Sequence, residues 1–298
     1  MIQDALSKQI FKNLSSLGLS PPINNTHKDY CFRDTLKQCL LESIGDSKIT
    51  IESGNQVKIE IKTEEFKTAL FSDFHFGYTR ISEQVKNVTN LLNSDSQVSW
   101  IITTAYYACY FMAVEISKLY GTFIINFSEE ELASILSSSE NPNNFTIKQE
   151  SNNSFQISVR QSLYTNNLDL QLIKEASRPH QIVWLNLCKL LNRLTVDDKL
   201  LHHKNLLTDI CDGNNKRWKL PSAIRNEWNY TYANLYSTQG TELGATFLSI
   251  IRRSDSAMGW ANHRKLPPDE KNITASIAYL YHCLFETITR VHSRFYQS

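Results

Sequence analysis

The sequence predicts a mainly helical protein that carries two β-hairpins, and three stretches predict it. Residues 97–120 and 272–296 are long and apolar at helical spacing. Residues 48–62 alternate instead, with Ile49, Ile51, Val57, Ile59 and Ile61 separated by charged and polar side chains, the period of a strand pair with one buried face.

Taken in order, residues 2–19 read as an amphipathic helix stopped by Pro21-Pro22. Residues 34–43 read as a second, short one. In 48–62 the turn falls on Ser53-Gly54-Asn55. A helix is predicted over 82–92. In the long helix 97–120, Trp100, Thr104, Tyr107, Phe111, Val114 and Lys118 share a stripe. A second hairpin is predicted over 145–160, turning at Asn152-Asn153. From there the pattern is helical: 180–194, 221–236, 242–253 and 272–296. The last places Ile277, Leu280, Leu284, Ile288, Val291 and Phe295 at bundle spacing.

The net charge of +1 hides an asymmetry, because residues 201–298 hold 12 Lys/Arg against 8 Asp/Glu while the first 200 hold 19 against 22. A basic carboxy-terminal third suits an anionic partner. Asp4, Lys8 and Lys12 interrupt the apolar residues that a secretory leader would need. No run approaches the length of a membrane span. Six scattered cysteines with no C-x-x-C pair give no zinc or redox signature. The reading is a reduced, cytoplasmic protein with no cofactor and no metal site.

The most informative stretch is Ile224-Arg225-Asn226-Glu227-Trp228-Asn229-Tyr230-Thr231-Tyr232, just after Pro221, a residue suited to a helix start. It resembles the R-N-x-x-x-H and R-x4-H-x-Y signatures of the HEPN superfamily (higher eukaryotes and prokaryotes nucleotide-binding), with one departure: Tyr230 stands where the family has His. The Tyr- and Ala-rich stretch 99–121, containing Tyr106-Tyr107-Ala108, is similar to the family's first long helix, and the closing helix is similar too. The resemblance implies an HEPN-like helical bundle over residues 95–298 with an insertion at 128–172. Residues 1–94 would then form an N-terminal extension.

What the resemblance implies about function is a metal-independent endoribonuclease of toxin–antitoxin or antiviral defence, acting as a homodimer. A ribose 2′-OH attacks the adjacent phosphate and leaves a cyclic phosphate and a 5′-OH. Arg225, Asn226 and Tyr230 fall on the catalytic positions. A guanidinium fork suits a charged phosphorane, and Asn226 would orient the phosphate. A tyrosine, titrating near 10, is a poor base at neutral pH. Tyr232 falls on a tyrosine that cognate antitoxins modify with nucleotide in some members, so an antitoxin or a defence-complex subunit joins RNA among the implied partners. The alternative is a catalytically inactive module that binds nucleic acid, nucleotide or protein.

The residues carry competing readings of their own. Ile224, Trp228, Tyr232 and Leu235 form a helical stripe, which places Trp228 and Tyr232 in a core and Tyr230 about 140° round the helix from Arg225. Glu227 or a neighbouring helix would pair with Arg225. Lys216-Arg217-Trp218-Lys219 interleaves basic and aromatic groups, and with Arg252, Arg253 and the His263-Arg264-Lys265 run it would make a phosphate-tracking surface. His282 and His292 are candidate substitutes for the missing histidine. Ser72-Asp73-Phe74-His75-Phe76-Gly77 copies the opening of a metallophosphoesterase motif without its later parts. The adjacent His202 and His203 read as loop or surface residues rather than metal ligands.

Overall fold

The computed structural model of the protein describes residues 1–20, 35–144, 153–175, 179–263 and 268–296. Its elements run α1 (Ile2–Ser16), α2 (Leu36–Glu42), β1 (Lys48–Ser53), β2 (Gln56–Ile61), α3 (Thr63–Asn93), α4 (Val98–Leu119), β3 (Thr122–Phe127), α5 (Glu129–Ser137), β4 (Asn153–Gln161) and β5 (Leu168–Lys174). Helices α6 (Pro179–Arg193), α7 (Asp198–Cys211), α8 (Pro221–Asn226), α9 (Thr238–Ile251), α10 (Ser254–Asn262) and α11 (Glu270–Tyr296) complete it. The fold is mainly helical with one small antiparallel sheet. The chain forms two compact units: residues 1–9, 77–116 and 180–293 make the first, and 10–76, 117–179 and 294–298 the second.

The second unit holds the sheet, in the order β1-β2-β5-β4-β3. The first hairpin is as read, with Ile49 opposite Ile59 and Ile51 opposite Val57. The second hairpin is not. Residues 145–152 lie outside the described residues, and Asn153, expected in the turn, begins β4. That strand pairs with β3 on one side and β5 on the other. One five-stranded sheet therefore replaces two separate hairpins. Phe123, Ile125, Phe155, Ile157, Leu168, Leu170 and Leu172 alternate into its buried face. Along the outer edge of β1, Asn141 accepts from Ile51 N and donates back to Ile51 O, each at 2.9 Å, so a side-chain amide satisfies part of an edge strand. Gly121 joins α4 to β3 with φ +75°. A Cβ there would only touch Val159, so it is the positive φ that asks for glycine.

The first unit is helical. Ile277, Leu280, Leu284, Ile288 and Val291 of α11 are all buried, as the spacing predicts. Helix α4 buries a different face from the one expected: Ile101, Ile102, Ala105, Tyr106, Cys109, Met112 and Ile116 point inward, while Trp100 is 52% exposed and Tyr107, Tyr110 and Phe111 are half-buried. The helix expected over 82–92 begins far earlier, at Thr63. Its apolar residues Phe66, Leu70, Phe74, Ile81, Val88 and Leu92 keep one period through Gly77.

The helix expected over 221–236 breaks into three pieces: α8, a π-turn over Glu227–Thr231 and a 3-10 turn over Ala233–Tyr236. Ile224, Trp228 and Leu235 stay in the core, but Tyr232 is 49% exposed, because the α period ends before it. No helix among the described residues is long and apolar enough to cross a membrane.

Candidate functional site

Arg225 lies in the last turn of α8, which Pro221 opens at its first position. Its guanidinium carbon is 5.3 Å from the Tyr106 ring centre, 5.4 Å from Tyr107 and 5.5 Å from Tyr230. Three ring faces thus form an aromatic cradle for one cation. The first two come from consecutive positions on α4. Tyr230 arrives through the π-turn, in which Tyr232 N reaches Glu227 O at 3.2 Å. In an α-helix, positions 225 and 230 diverge by about 140°. The wider turn brings them to one side, so the angular separation expected from the sequence does not hold.

No carboxylate pairs with Arg225 among the described residues, and its buried Nε has no hydrogen-bond acceptor. The expected Arg225–Glu227 pair is absent, because Glu227 accepts from Lys219 Nζ at 3.0 Å, which also donates to Glu270 at 3.1 Å. The Arg225 guanidinium also bonds the Tyr106 hydroxyl, but an orphaned buried Nε–H is costly in a finished structure. It is a ready contact for an anion.

His180, the second residue of α6, shares the Tyr106 side chain with Arg225. Its Nδ1 is 2.7 Å from the Tyr106 hydroxyl, and its ring stacks on Tyr110 at 4.3 Å between centres. Burial lowers the His180 pKa below the ordinary histidine value, and the positive charge of Arg225 pushes the same way. The ring is therefore neutral at pH 7. Burial raises the Tyr106 phenol, partly offset by Arg225, so Tyr106 keeps its proton. When His180 Nδ1–H donates to the Tyr106 oxygen, Nε2 is left as an acceptor able to take a proton.

His180 was not a candidate in the sequence, where it only heads a helix 45 positions before Arg225. The two histidines that were candidates are engaged elsewhere. His282 is buried against the Ile251 carbonyl at 2.9 Å, and His292 stacks on Tyr78 at 3.7 Å between ring centres.

The remaining candidates scatter. Asn226 is exposed, and its carbonyl accepts from Thr231 Oγ1 at 3.2 Å. Tyr232 edges a cavity of about 220 Å³ with Trp228, Leu235 and Lys219. Lys216 and Arg217 are exposed beside the buried Trp218. Arg253 is exposed, and Arg252 donates to the Leu92 carbonyl at 2.7 Å. Arg264 and Lys265 lie outside the described residues.

Family models, curated proteins and solved structures were each compared with this chain, and none matches it.

The other motifs resolve into structure. Asp73 and His75 sit inside α3, where Asp73 pairs with Lys118 at 3.2 Å and His75 meets the Tyr296 ring edge-on. His202 and His203 diverge, the first to the Ala261 carbonyl at 2.8 Å and the second to the Tyr279 hydroxyl at 2.9 Å. Among the described residues no group of three His, Cys, Asp or Glu is placed to hold a metal ion.

Proposed function

We propose that this chain is an HEPN-like, RNA-acting protein of toxin–antitoxin or antiviral defence, and that the Arg225 cleft performs metal-independent transphosphorylation of RNA. The observation that carries the reading is the imidazole of His180 at 2.7 Å from the Tyr106 hydroxyl, on the side chain whose ring also faces Arg225. A cation without a counter-ion and a titratable base beside it are the two groups that the reaction needs.

His180 Nε2 takes the proton of a ribose 2′-OH. The 2′ oxygen attacks phosphorus and the bond to the 5′ oxygen breaks. Arg225 stabilises the added charge on the phosphorane, and a proton from solvent or from the imidazolium completes the 5′-OH. Asn226 and Tyr230 border the same turn, with the Tyr230 ring face against the guanidinium. A homodimer would bring two such clefts together. The second reading, a binding module without turnover, draws on the same pair, since Tyr106 and His180 also satisfy one another as structural partners.

The test is wild-type protein with a mixed RNA ladder in EDTA beside Arg225→Ala and His180→Ala. We expect cyclic-phosphate ends from wild type and at least a hundredfold loss in each variant, the scale of a removed general base or oxyanion donor. Cleavage that survives His180→Ala would remove the imidazole from the chemistry. Binding without cleavage by wild type would favour the module.

A further inference from the structure

A second arginine stands on the same face of α4. Arg80, on α3, lies over the Phe111 ring with its guanidinium carbon 4.2 Å from the centre. Its Nη2 donates to Glu115 Oε1 at 3.2 Å. The two partners differ sharply in burial: the Glu115 side chain is 0% exposed, and that of Arg80 is 47% exposed. A carboxylate sealed in the interior therefore holds the inner edge of a guanidinium whose outer edge faces solvent.

The seat for that carboxylate is cut into the facing helix. A Cβ added at Gly77 would fall 2.1 Å from Glu115 Cδ and 2.3 Å from Oε1. A glycine in the interior of a 31-residue helix weakens it relative to alanine, and here its missing side chain makes room for one buried charge.

Between the two arginines runs an unbroken aromatic ladder. Arg225 faces Tyr106 and Tyr107, Tyr107 lies 6.4 Å from Phe111, and Phe111 carries Arg80. His180 stacks on Tyr110 within that span. Tyr106 and Phe111 are five residues apart, about 7.5 Å along the helix axis at a rise of 1.5 Å per residue. Cations spaced along one helix face suit the successive phosphates of a single-stranded nucleic acid.

We propose that Arg80, seated by Glu115 in the notch at Gly77, is a second phosphate-binding residue. It positions the strand one step away from the phosphate held by Arg225. The inference rests on the RNA reading above and adds a binding site to it. Arg80 takes no part in proton transfer; it fixes the strand across His180.

The experiment is fluorescence anisotropy with a labelled, single-stranded 2′-O-methyl RNA 12-mer, which cannot be cleaved, in EDTA over a range of salt. Arg80→Ala alone would remove one cation from a fully buried carboxylate, so the variant is Arg80→Met with Glu115→Gln, which keeps the stem and neutralises the seat. Arg225→Ala runs beside it, and melting curves check that each variant is folded.

We expect the double variant to bind about tenfold or more weakly, as for a lost hydrogen bond to a charged group. The slope of log affinity against log salt should also become shallower by about 0.7, the value for one phosphate on a single strand. Wild-type affinity and slope in the double variant, with Arg225→Ala weakened, would overturn the Arg80 site and leave the RNA reading intact. Weaker binding with an unchanged slope would assign Arg80 to structure alone and overturn it as well. No binding by wild type would remove both readings together.

Discussion

Gly77 and Tyr230 show how single positions decide this site. In an ordinary helix, replacing a central glycine by alanine stabilises by about 0.5–1 kcal/mol. Here the new methyl would collide with the buried Glu115 carboxylate at 2.1 Å. Gly77→Ala should therefore destabilise, by about 1–3 kcal/mol as for overpacking, and a thermal melt with a raised midpoint would show that Glu115 has room to move. Tyr230 makes the converse case. It is 70% exposed and meets Arg225 through its ring face, so Tyr230→Phe keeps the contact. We expect Tyr230→Phe to release cyclic-phosphate ends within about threefold of wild type, while Tyr230→Ala falls further, the contact being worth about 0.5–1 kcal/mol. A Phe variant as impaired as Ala would give the hydroxyl a chemical role. Arg225 was legible in the sequence because its spacing to Pro221 and the tyrosines is local. His180 was not, because nothing in a Pro-His pair at a helix start encodes that Tyr106, 74 residues earlier, will meet its Nδ1.

At the scale of elements, the decisive departure is the π-turn after α8. The sequence signals one helix over 221–236, since Ile224, Trp228 and Leu235 do keep a buried stripe. The signal fails because Trp228 is tied by its Nε1 to Thr274 Oγ1 at 3.3 Å, and the chain then closes a 3-10 turn at Ala233–Tyr236. Gly240 holds that turn in place: a Cβ there would lie 1.8 Å from the Leu235 carbonyl oxygen. Gly240→Ala must push the backbone of the turn, so it should lower the melting midpoint and weaken RNA cleavage together. An alanine variant with both properties intact would separate the turn from the site. Elsewhere Leu168, Leu170 and Leu172 alternate with Asp169 and Gln171 in β5, a strand absent from the sequence reading, whose second hairpin ends at residue 160. The strand β3 offers only the short apolar run Phe123-Ile124-Ile125 and then Phe127 after a glycine, which periodicity alone does not separate from a helix end. Pairing between strands distant in sequence made one sheet of what local patterns read as two hairpins.

At the scale of the whole molecule, one buried and two half-buried histidines make the first unit sensitive to acid. Burial lowers the pKa of His180, His203 and His282 below the usual value, with Arg225 adding to the effect at His180. All three lie in residues 180–293 of that unit. In the unfolded chain they bind protons as pH falls past about 6.5, while in the folded chain they resist. Their contribution to stability is thus complete above about pH 6.5 and is lost as pH falls through that value toward the lowered folded pKa values. Asp4, Glu60 and Glu131 have lowered pKa values, so their contributions persist until more acidic conditions, below the ordinary carboxylate range near 4. All five tryptophans, Trp100, Trp184, Trp218, Trp228 and Trp260, fall in the first unit, so intrinsic fluorescence reads its unfolding alone. We expect the fluorescence-detected midpoint to drop steadily from pH 7.5 to 5.5, and His282→Gln, which keeps a donor for the Ile251 carbonyl, to flatten the slope. A midpoint that is level or rising across that interval would mean that the three rings are protonated in the folded state. His180 would then enter the Arg225 cleft as a cation and serve as an acid rather than as the base on which the cleavage reading depends.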